Sequence, residues 1–390
     1  MAAEKALYAK EDRRHKNALP ATTVDIPFLV FVLLLLTIGL VMLYSASYAQ
    51  SEYDTNYTVT TKYLQKQSIC AIIGLGAMYG FSRIPSALWS RLAWPVYIVS
   101  ILLLLLVLVA GESVNGARRW INVAGIQFQP SEIAKFSMIV LLARLTKSFG
   151  ADAKTFRYGV LGFGCAMLGL LIPLALEKHL SAIMLMGMVG VVMMFVAGTS
   201  GKWLAAGAAA AAVFVVIYIT FMGYAGDRVT AWLHPEQDPA DTGYQILQSL
   251  YAIGSGGVFG LGLGRSRQKY LYLPFQYNDY IFAIICEELG LVGALCIIVL
   301  FAATIIRGYW IALHARDRFS TVLAAGLVTL IAVQTVLNLG VVTNLLPSTG
   351  IALPFFSYGG TALAVNLGEM GILLQISRQR KLPKLQEVPL

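Results

Sequence analysis

Charge is scarce in this chain. Only 13% of its 390 residues are Asp, Glu, Lys or Arg, against roughly 25% in a soluble protein. With 58% hydrophobic residues and a mean hydropathy of +0.71, that shortage excludes an ordinary water-soluble domain and places the chain in lipid. Cysteine is also scarce. Cys70, Cys165, Cys286 and Cys296 all fall in apolar runs without metal-ligand spacing, so they read as buried packing thiols. His15, His179, His234 and His314 are scattered, with no zinc signature and no Ser-His-Asp order. No Gly-Lys-Ser/Thr ending marks a Walker loop, and no dinucleotide fingerprint follows a strand. Ten-residue alternating segments are missing as well, which excludes a transmembrane β-barrel. The net charge of +9 comes from basic residues beside apolar runs, so it reads as topology and anionic lipid, not nucleic acid.

The apolar runs are each about twenty residues long, the length a helix needs to cross a bilayer. Ten spans fit: 25–48, 66–82, 92–110, 131–147, 157–176, 180–198, 203–222, 279–302, 319–341 and 358–377. The first is too long for a signal-peptide core of roughly 7–15 residues and reads as a retained span. Most of the 29 Lys and Arg fall on the side that holds both termini, so the positive-inside rule puts both in the cytoplasm. The expected fold is an all-α polytopic membrane protein. It has a cytoplasmic tail at 1–24, a single membrane domain at 25–377 and a second cytoplasmic tail at 378–390. Two long loops, 111–130 and 223–278, lie outside the cell, the larger between spans seven and eight. Within it, residues 241–253 place apolar side chains at helical spacing. This suggests a helix that either lies on the membrane surface or packs on its own protein.

Five stretches could carry chemistry. Leu273–Gly290 sets Asp279 at the head of the eighth span, with Glu287 about 80° around the helix and ~12 Å deeper, and Glu288 on the opposite face. Intramembrane carboxylates usually mark function, although a helix macrodipole alone could hold Asp279. Gln127–Lys135 spaces Glu132 and Lys135 to share one helical face, either as a self-neutralised pair or as part of an anion site. Asn115–Trp120 puts Arg118 and Arg119 on the outside, where guanidiniums suit a diphosphate or simply meet water. Gly254–Lys269 combines glycines with Arg265, Arg267 and Lys269. The glycines permit close backbone approach to a ligand, or merely a flexible loop. Leu346–Gly360, with Pro347 and Pro354, implies a non-helical re-entry that offers Ser357 and Tyr358 to a polar ligand.

Taken together, these stretches resemble the SEDS family (shape, elongation, division and sporulation), which includes FtsW, RodA and SpoVE. The resemblance rests on Gly116-Ala-Arg-Arg-Trp120, Gln129-Pro-Ser-Glu-Ile-Ala-Lys135, Asp238-Pro239 and Gly243-Tyr-Gln-Ile246. It continues through Gln248–Gly254, Asn278-Asp279, Glu287-Glu-Leu-Gly290 and Ser357-Tyr-Gly-Gly360, in family order. Gly262–Tyr270 looks more like the FtsW and SpoVE branch than RodA. There are departures. Phe275 stands where relatives carry Glu, and Tyr277-Asn278 replaces the usual residues before the aspartate. Glu177-Lys-His-Leu-Ser-Ala182 replaces Gln-Pro-Asp-Leu-Gly-Thr.

The resemblance implies a peptidoglycan glycosyltransferase in the bacterial cell membrane. It would polymerise lipid II on the outer face, beside a class B penicillin-binding protein and with division or sporulation proteins. Asp279 falls on the family's catalytic aspartate, and Glu132 and Lys135 on its intramembrane polar pair. Arg118, Arg119, Lys135, Arg265, Arg267 and Lys269 would supply charge to the diphosphate. A divalent cation could assist, but no ligand set is legible. A lipid II flippase or a scaffold for the penicillin-binding protein are the rival classes.

Overall fold

The computed structural model describes residues 23–114, 117–123, 126–207, 209, 230–237 and 243–379. Most of both expected tails, most of the seventh span and the Asp238-Pro239 motif lie outside the described residues. The chain opens with α1 (Ile26–Asp54), α2 (Lys62–Phe81) and α3 (Ser86–Ala110). A small sheet follows, made of β1 (Glu112–Val114), β2 (Ala117–Val123) and β3 (Ile126–Phe128). Then come α4 (Pro130–Phe149), a π turn at Arg157–Gly162 leading into α5 (Phe163–Leu176), and α6 (Leu180–Val196). After the seventh-span region come α7 (Tyr244–Gly256), α8 (Ile281–Leu313), α9 (Arg318–Val342) and α10 (Gly360–Arg378).

Five of the described helical segments are long and apolar enough to cross a membrane: α1, α3, the π turn with α5, α8 and α9. The charged helices α4 and α10 fall outside that group, and most of their residues are buried in the bundle. Protein, not lipid, surrounds Glu132, Lys135 and Glu369, which is how a membrane helix tolerates them. Of the four cysteines, Cys70 and Cys286 are buried, whereas Cys165 and Cys296 face outward. An outward face in such a bundle meets lipid, so apolarity does not require burial in protein.

The first helix is a ruler for the rest. Asp25 caps it, accepting from Phe28 N at 3.1 Å, and takes a two-pronged ion pair from Arg307 of α8 at 2.9 and 2.8 Å. From Ile26 to Ser45 the helix rises ~30 Å, about one hydrocarbon thickness, and from Ser45 to Asp54 ~13 Å more. The Asp54 end therefore lies farther from the Asp25 end than one hydrocarbon thickness. Gly39, below Ser45, meets the 346–359 segment: a Cβ there would lie 2.3 Å from the Phe355 carbonyl oxygen. The proline-rich segment thus dips into the bundle, as its composition predicts.

Two expectations change, and one alternative left open is decided. The fold is not all-α, because the 111–130 loop is a three-stranded antiparallel meander. The short run ARRWINV alternates its side chains across a strand instead of turning. Of the two alternatives for the 241–253 stretch, its described residues take the second: α7 packs on its own protein, burying Ile246, Ser249, Ala252 and Gly256, and Ser249 Oγ donates to the Val342 carbonyl at 2.8 Å. The eighth span begins at Ile281, not Asp279, and breaks at Gly290, whose φ is 68°.

That break explains the glycine loop. Leu261 and Gly262 N–H donate to the Glu287 and Glu288 carbonyls, and Leu291 and Val292 N–H donate to the Gly257 and Val258 carbonyls, all at 3.0–3.1 Å. The loop therefore satisfies the backbone groups that the broken helix frees. Contact is possible only without side chains, since a Cβ on Gly290 would lie 2.3 Å from Gly260 N. Gly256, Gly260 and Gly290 thus admit backbone to backbone.

Candidate active site

Residues 271–280 form consecutive turns, with Leu271 and Phe275 in the left-handed region. Asp279 sits on the last of them, half-buried, just before α8. The Asn338 amide of α9 donates to the Asp279 carbonyl at 2.7 Å and to the Ile351 carbonyl at 2.8 Å, so one side chain pins this turn to the 346–359 segment. The carboxylate leans over that segment. A Cβ on Gly350 (φ 68°) would lie 3.5 Å from Asp279 Oδ2.

Tyrosines wall one side. Tyr63 packs against Tyr277 and Tyr358 with ring centres 4.4 and 4.9 Å apart, and Tyr358 N donates to the Tyr277 carbonyl at 2.8 Å. The Tyr63 hydroxyl reaches Tyr277 at 3.3 Å and also hydrogen-bonds Asp54. Burial raises the Tyr277 phenol pKa. The Tyr63 hydrogen bond opposes that shift, while the Asp54 and Asp279 carboxylates add to it. Tyr277 thus ties the Asp279 turn to the Asp54 end of α1. Ser357 is buried beneath this wall, where its hydroxyl accepts from Leu353 N at 2.8 Å, and Gln67 clips Ser357 O and Gly359 N at 3.2 Å each.

Lys135 and Glu132 pair at 2.8 Å as their spacing predicts, and both are buried. Glu369 of α10, 1% exposed, lies within reach of both charges. Sequence reasoning missed it, although a lone acid in the apolar run Leu367–Leu374 is a signal. The outer turn Glu177–His179 was noted only as a departure, but it is central to this side. The Arg119 guanidinium hydrogen-bonds the Lys178 carbonyl, and Ser181 Oγ donates to the Thr349 carbonyl beside Gly350. This turn thus links Arg119 to the segment under Asp279. Burial pushes the Glu177 carboxyl up to about 8, with the Arg119 charge pulling it back. Burial holds the His179 imidazole down to about 3, and Arg119 and Lys135 press the same way. Both are therefore neutral near pH 7. The buried atoms Glu177 Oε1 and His179 Nδ1 have no hydrogen-bond partner among the described residues.

The alternation of β2 separates the two arginines. Arg119 turns to the site, while exposed Arg118 donates to the Leu108 carbonyl at 3.3 Å on the other face.

Lys269, Glu287 and Glu288 sit together about 13 Å below the Asp54 end along α1. Lys269 Nζ bonds Glu288 at 3.0 Å, Ser45 at 3.2 Å and the Gly264 carbonyl at 2.6 Å. Glu287 accepts from the Ser266 hydroxyl, from Arg267 N at 2.9 Å and from Gln268 N at 3.3 Å. Their polar atoms are engaged within the loop, and the cations that stay at its surface are Arg265 and Arg267. Among the described residues, no group of three or more His, Cys, Asp or Glu could hold a metal ion.

Comparison with known proteins accords with this arrangement. The profile of the cell cycle protein family that groups FtsW, RodA and SpoVE matches residues 26–382. A probable peptidoglycan glycosyltransferase FtsW of Geobacter metallireducens is 38% identical, over 92% of this chain and 95% of its own. Stage V sporulation protein E of Bacillus subtilis is 39% identical, over 92% and 98%. Among solved structures, a chain of a peptidoglycan synthase complex that coordinates polymerization and crosslinking superposes with a TM-score of 0.77. It is 29% identical, over 92% of this chain and 98% of that one. The rod shape determining protein RodA of Thermus thermophilus gives 0.68 at 26% identity, over 92% and 98%.

Proposed function

This chain belongs to the FtsW, RodA and SpoVE family of cell cycle proteins, on the FtsW and SpoVE side, and from that premise we propose how its site works. It is a peptidoglycan glycosyltransferase of the membrane, and the substrate assigned to it in this reading is lipid II, a disaccharide-pentapeptide on undecaprenyl diphosphate. Ten spans carry it, with both termini in the cytoplasm and Asp279 facing outside. The basic Arg307, Arg316, Arg318 and Arg378 lie at the opposite end, on the inner side.

The acceptor's 4-hydroxyl loses its proton to Asp279 as its oxygen forms a bond to the donor's anomeric carbon. The bond from that carbon to the diphosphate breaks, and the diphosphate leaves with the electron pair. Direct displacement inverts the α-linked donor to a β linkage. General-base help of this kind contributes ~10²–10⁴-fold. Diphosphate is a good leaving group once fixed positive charge meets it, so no second acid is needed. Arg119 and Lys135 supply that charge near Asp279. Neutral Glu177 and His179 offer hydrogen bonds to the uncharged sugar, and Ser357 and Gln67 hold the re-entrant wall. A penicillin-binding protein of class B crosslinks the product beside it, as polymerization and crosslinking are coordinated in the solved relative.

The observation that carries this reading is the half-buried Asp279, whose backbone carbonyl is pinned by Asn338 and whose carboxylate leans over Gly350, next to the residue tied to the Arg119 turn. The test is reconstitution of the chain and its Asp279→Ala variant, with the partner synthase, on lipid II already facing outward. Glycan made by the wild type and not by the variant supports the enzyme. Lipid II moved across vesicles by both, with no glycan from either, supports a flippase.

A further inference from the structure

The loop after the glycine ladder forms a cleft of about 700 Å³ between Gly264 and Tyr272. Its floor is fixed. Glu287 holds Ser266, Arg267 and Gln268 from below, and Lys269 is locked to Glu288 and Ser45. Arg265 and Arg267 line it and are exposed, and among the described residues neither has a carboxylate within ion-pair distance. Tyr270 and Tyr272 complete the lining, 53% and 58% exposed.

The height of the cleft can be read from α1. Lys269 and Glu288 meet that helix at Ser45, ~30 Å from its Asp25 end. That is one hydrocarbon thickness, so the cleft lies at the level of the lipid headgroups. Tyrosines cluster there, as they do at membrane interfaces: Tyr44 and Tyr48 on α1, and Tyr270 and Tyr272 in the cleft lining. Two guanidiniums on a rigid loop, with amphipathic rings around them, suit a phosphate whose lipid tail runs down into the bilayer.

The proposed reaction needs two diphosphates at different heights. A donor's reacting carbon is bonded directly to its diphosphate, so that group must lie in the Asp279 layer. An acceptor's reacting hydroxyl is at the far end of its disaccharide, so its diphosphate lies one disaccharide away. The Arg265 and Arg267 cleft is ~13 Å below the layer tied to Asp54, in the direction of the membrane. We propose that this cleft is the acceptor's diphosphate site, separate from the charge that stabilises the leaving group. The inference rests on the glycosyltransferase reading and adds which substrate each cationic region holds.

The test uses full-length protein, with its partner synthase, in phosphatidylcholine nanodiscs. Lipid II whose 4-hydroxyl is methylated serves only as donor, and it is varied against unmodified lipid II in turn. In the variant Arg265→Ala with Arg267→Ala, KM for unmodified lipid II rises about tenfold or more, while KM for the capped donor stays within about twofold. The variant Arg265→Lys with Arg267→Lys, which keeps charge but loses the planar fork, falls between, and an unchanged thermal midpoint in both variants excludes misfolding. Equal rises for both substrates, or no rise, overturn the assignment. So does loss of the effect when phosphatidylglycerol is added, which identifies a general anionic-lipid site. If the wild type makes no glycan, the glycosyltransferase reading fails, and binding of undecaprenyl diphosphate to wild type and variant still decides the cleft. A tenfold loss of affinity retains a diphosphate site, and equal affinity removes it.

Discussion

The stretch Leu273–Gly290 holds carboxylates in two conditions. Glu287 and Glu288 are each 1% exposed, and all their oxygens accept hydrogen bonds from Ser45, Lys269 or the 266–268 loop. Asp279, eight residues earlier, is half-buried on a turn, above the backbone of Gly350 and beside Tyr277. The inner acids close a non-local joint between α1, the glycine loop and the break in α8. The outer one sits where α9, the re-entrant segment and the 271–280 turns converge. A buried carboxylate with a full partner set builds the fold. A carboxylate that the fold positions but leaves accessible can take a proton from a ligand.

The largest effect expected from this contrast is on stability at the inner acids. Lys269→Ala leaves the Glu288 charge buried without its ammonium, a loss of about 3–5 kcal/mol. Replacing both partners together, Lys269→Met with Glu288→Leu, recovers most of that loss, because no lone charge remains. Thermal unfolding in detergent reads both variants, and a double variant no better than the single would break the structural assignment of this pair.

A smaller effect, on substrate use, separates the two arginines of β2. Arg119→Ala raises KM for lipid II about tenfold, whereas Arg118→Ala leaves it within about twofold. Equal effects would mean that strand alternation does not sort these side chains as described.

The smallest effect is a slope with pH. The folded Glu177 carboxyl keeps its proton to about 8, whereas an unfolded glutamate releases it near ~4.3. Between these values the folded state binds more protons, so stability falls as pH rises and levels off above 8. His179 acts in the opposite sense, an effect that fades about one unit above its unfolded value of ~6.5. Thermal midpoints between pH 6.5 and 8 read the decline, and the difference between wild type and Glu177→Gln is the share this carboxyl contributes, so the variant's decline is shallower. Parallel slopes for wild type and variant would contradict the shift.

Much of the scaffold was legible in the sequence because lipid imposes a simple rule, and runs of about twenty apolar residues announce their helices. The Glu132–Lys135 pair was legible because i, i+3 spacing is local. What escaped is non-local. Nothing in Gly290 alone says that residues 257–262 will pair with the break it makes. Nothing in Lys269 says that its partner is Glu288, nineteen residues on, rather than a diphosphate. Arg118 and Arg119 looked equivalent because the loop was not recognised as a strand. Glu177 and His179 read as a lost motif, although their position between Arg119 and Thr349 gives them a place in the site. Asp279 was legible from its place at the head of an apolar run and was given its catalytic role by the resemblance, and the fold adds why it stands apart from the acids that follow it.

The contrast within Leu273–Gly290 is tested most directly by one variant read two ways. Asp279→Asn keeps the shape of the side chain and removes the base. The predicted result is a thermal midpoint within a few degrees of wild type and at least a hundredfold loss of lipid II polymerisation. Retained polymerisation, or a collapse of stability like that expected for Lys269→Ala, would contradict the account.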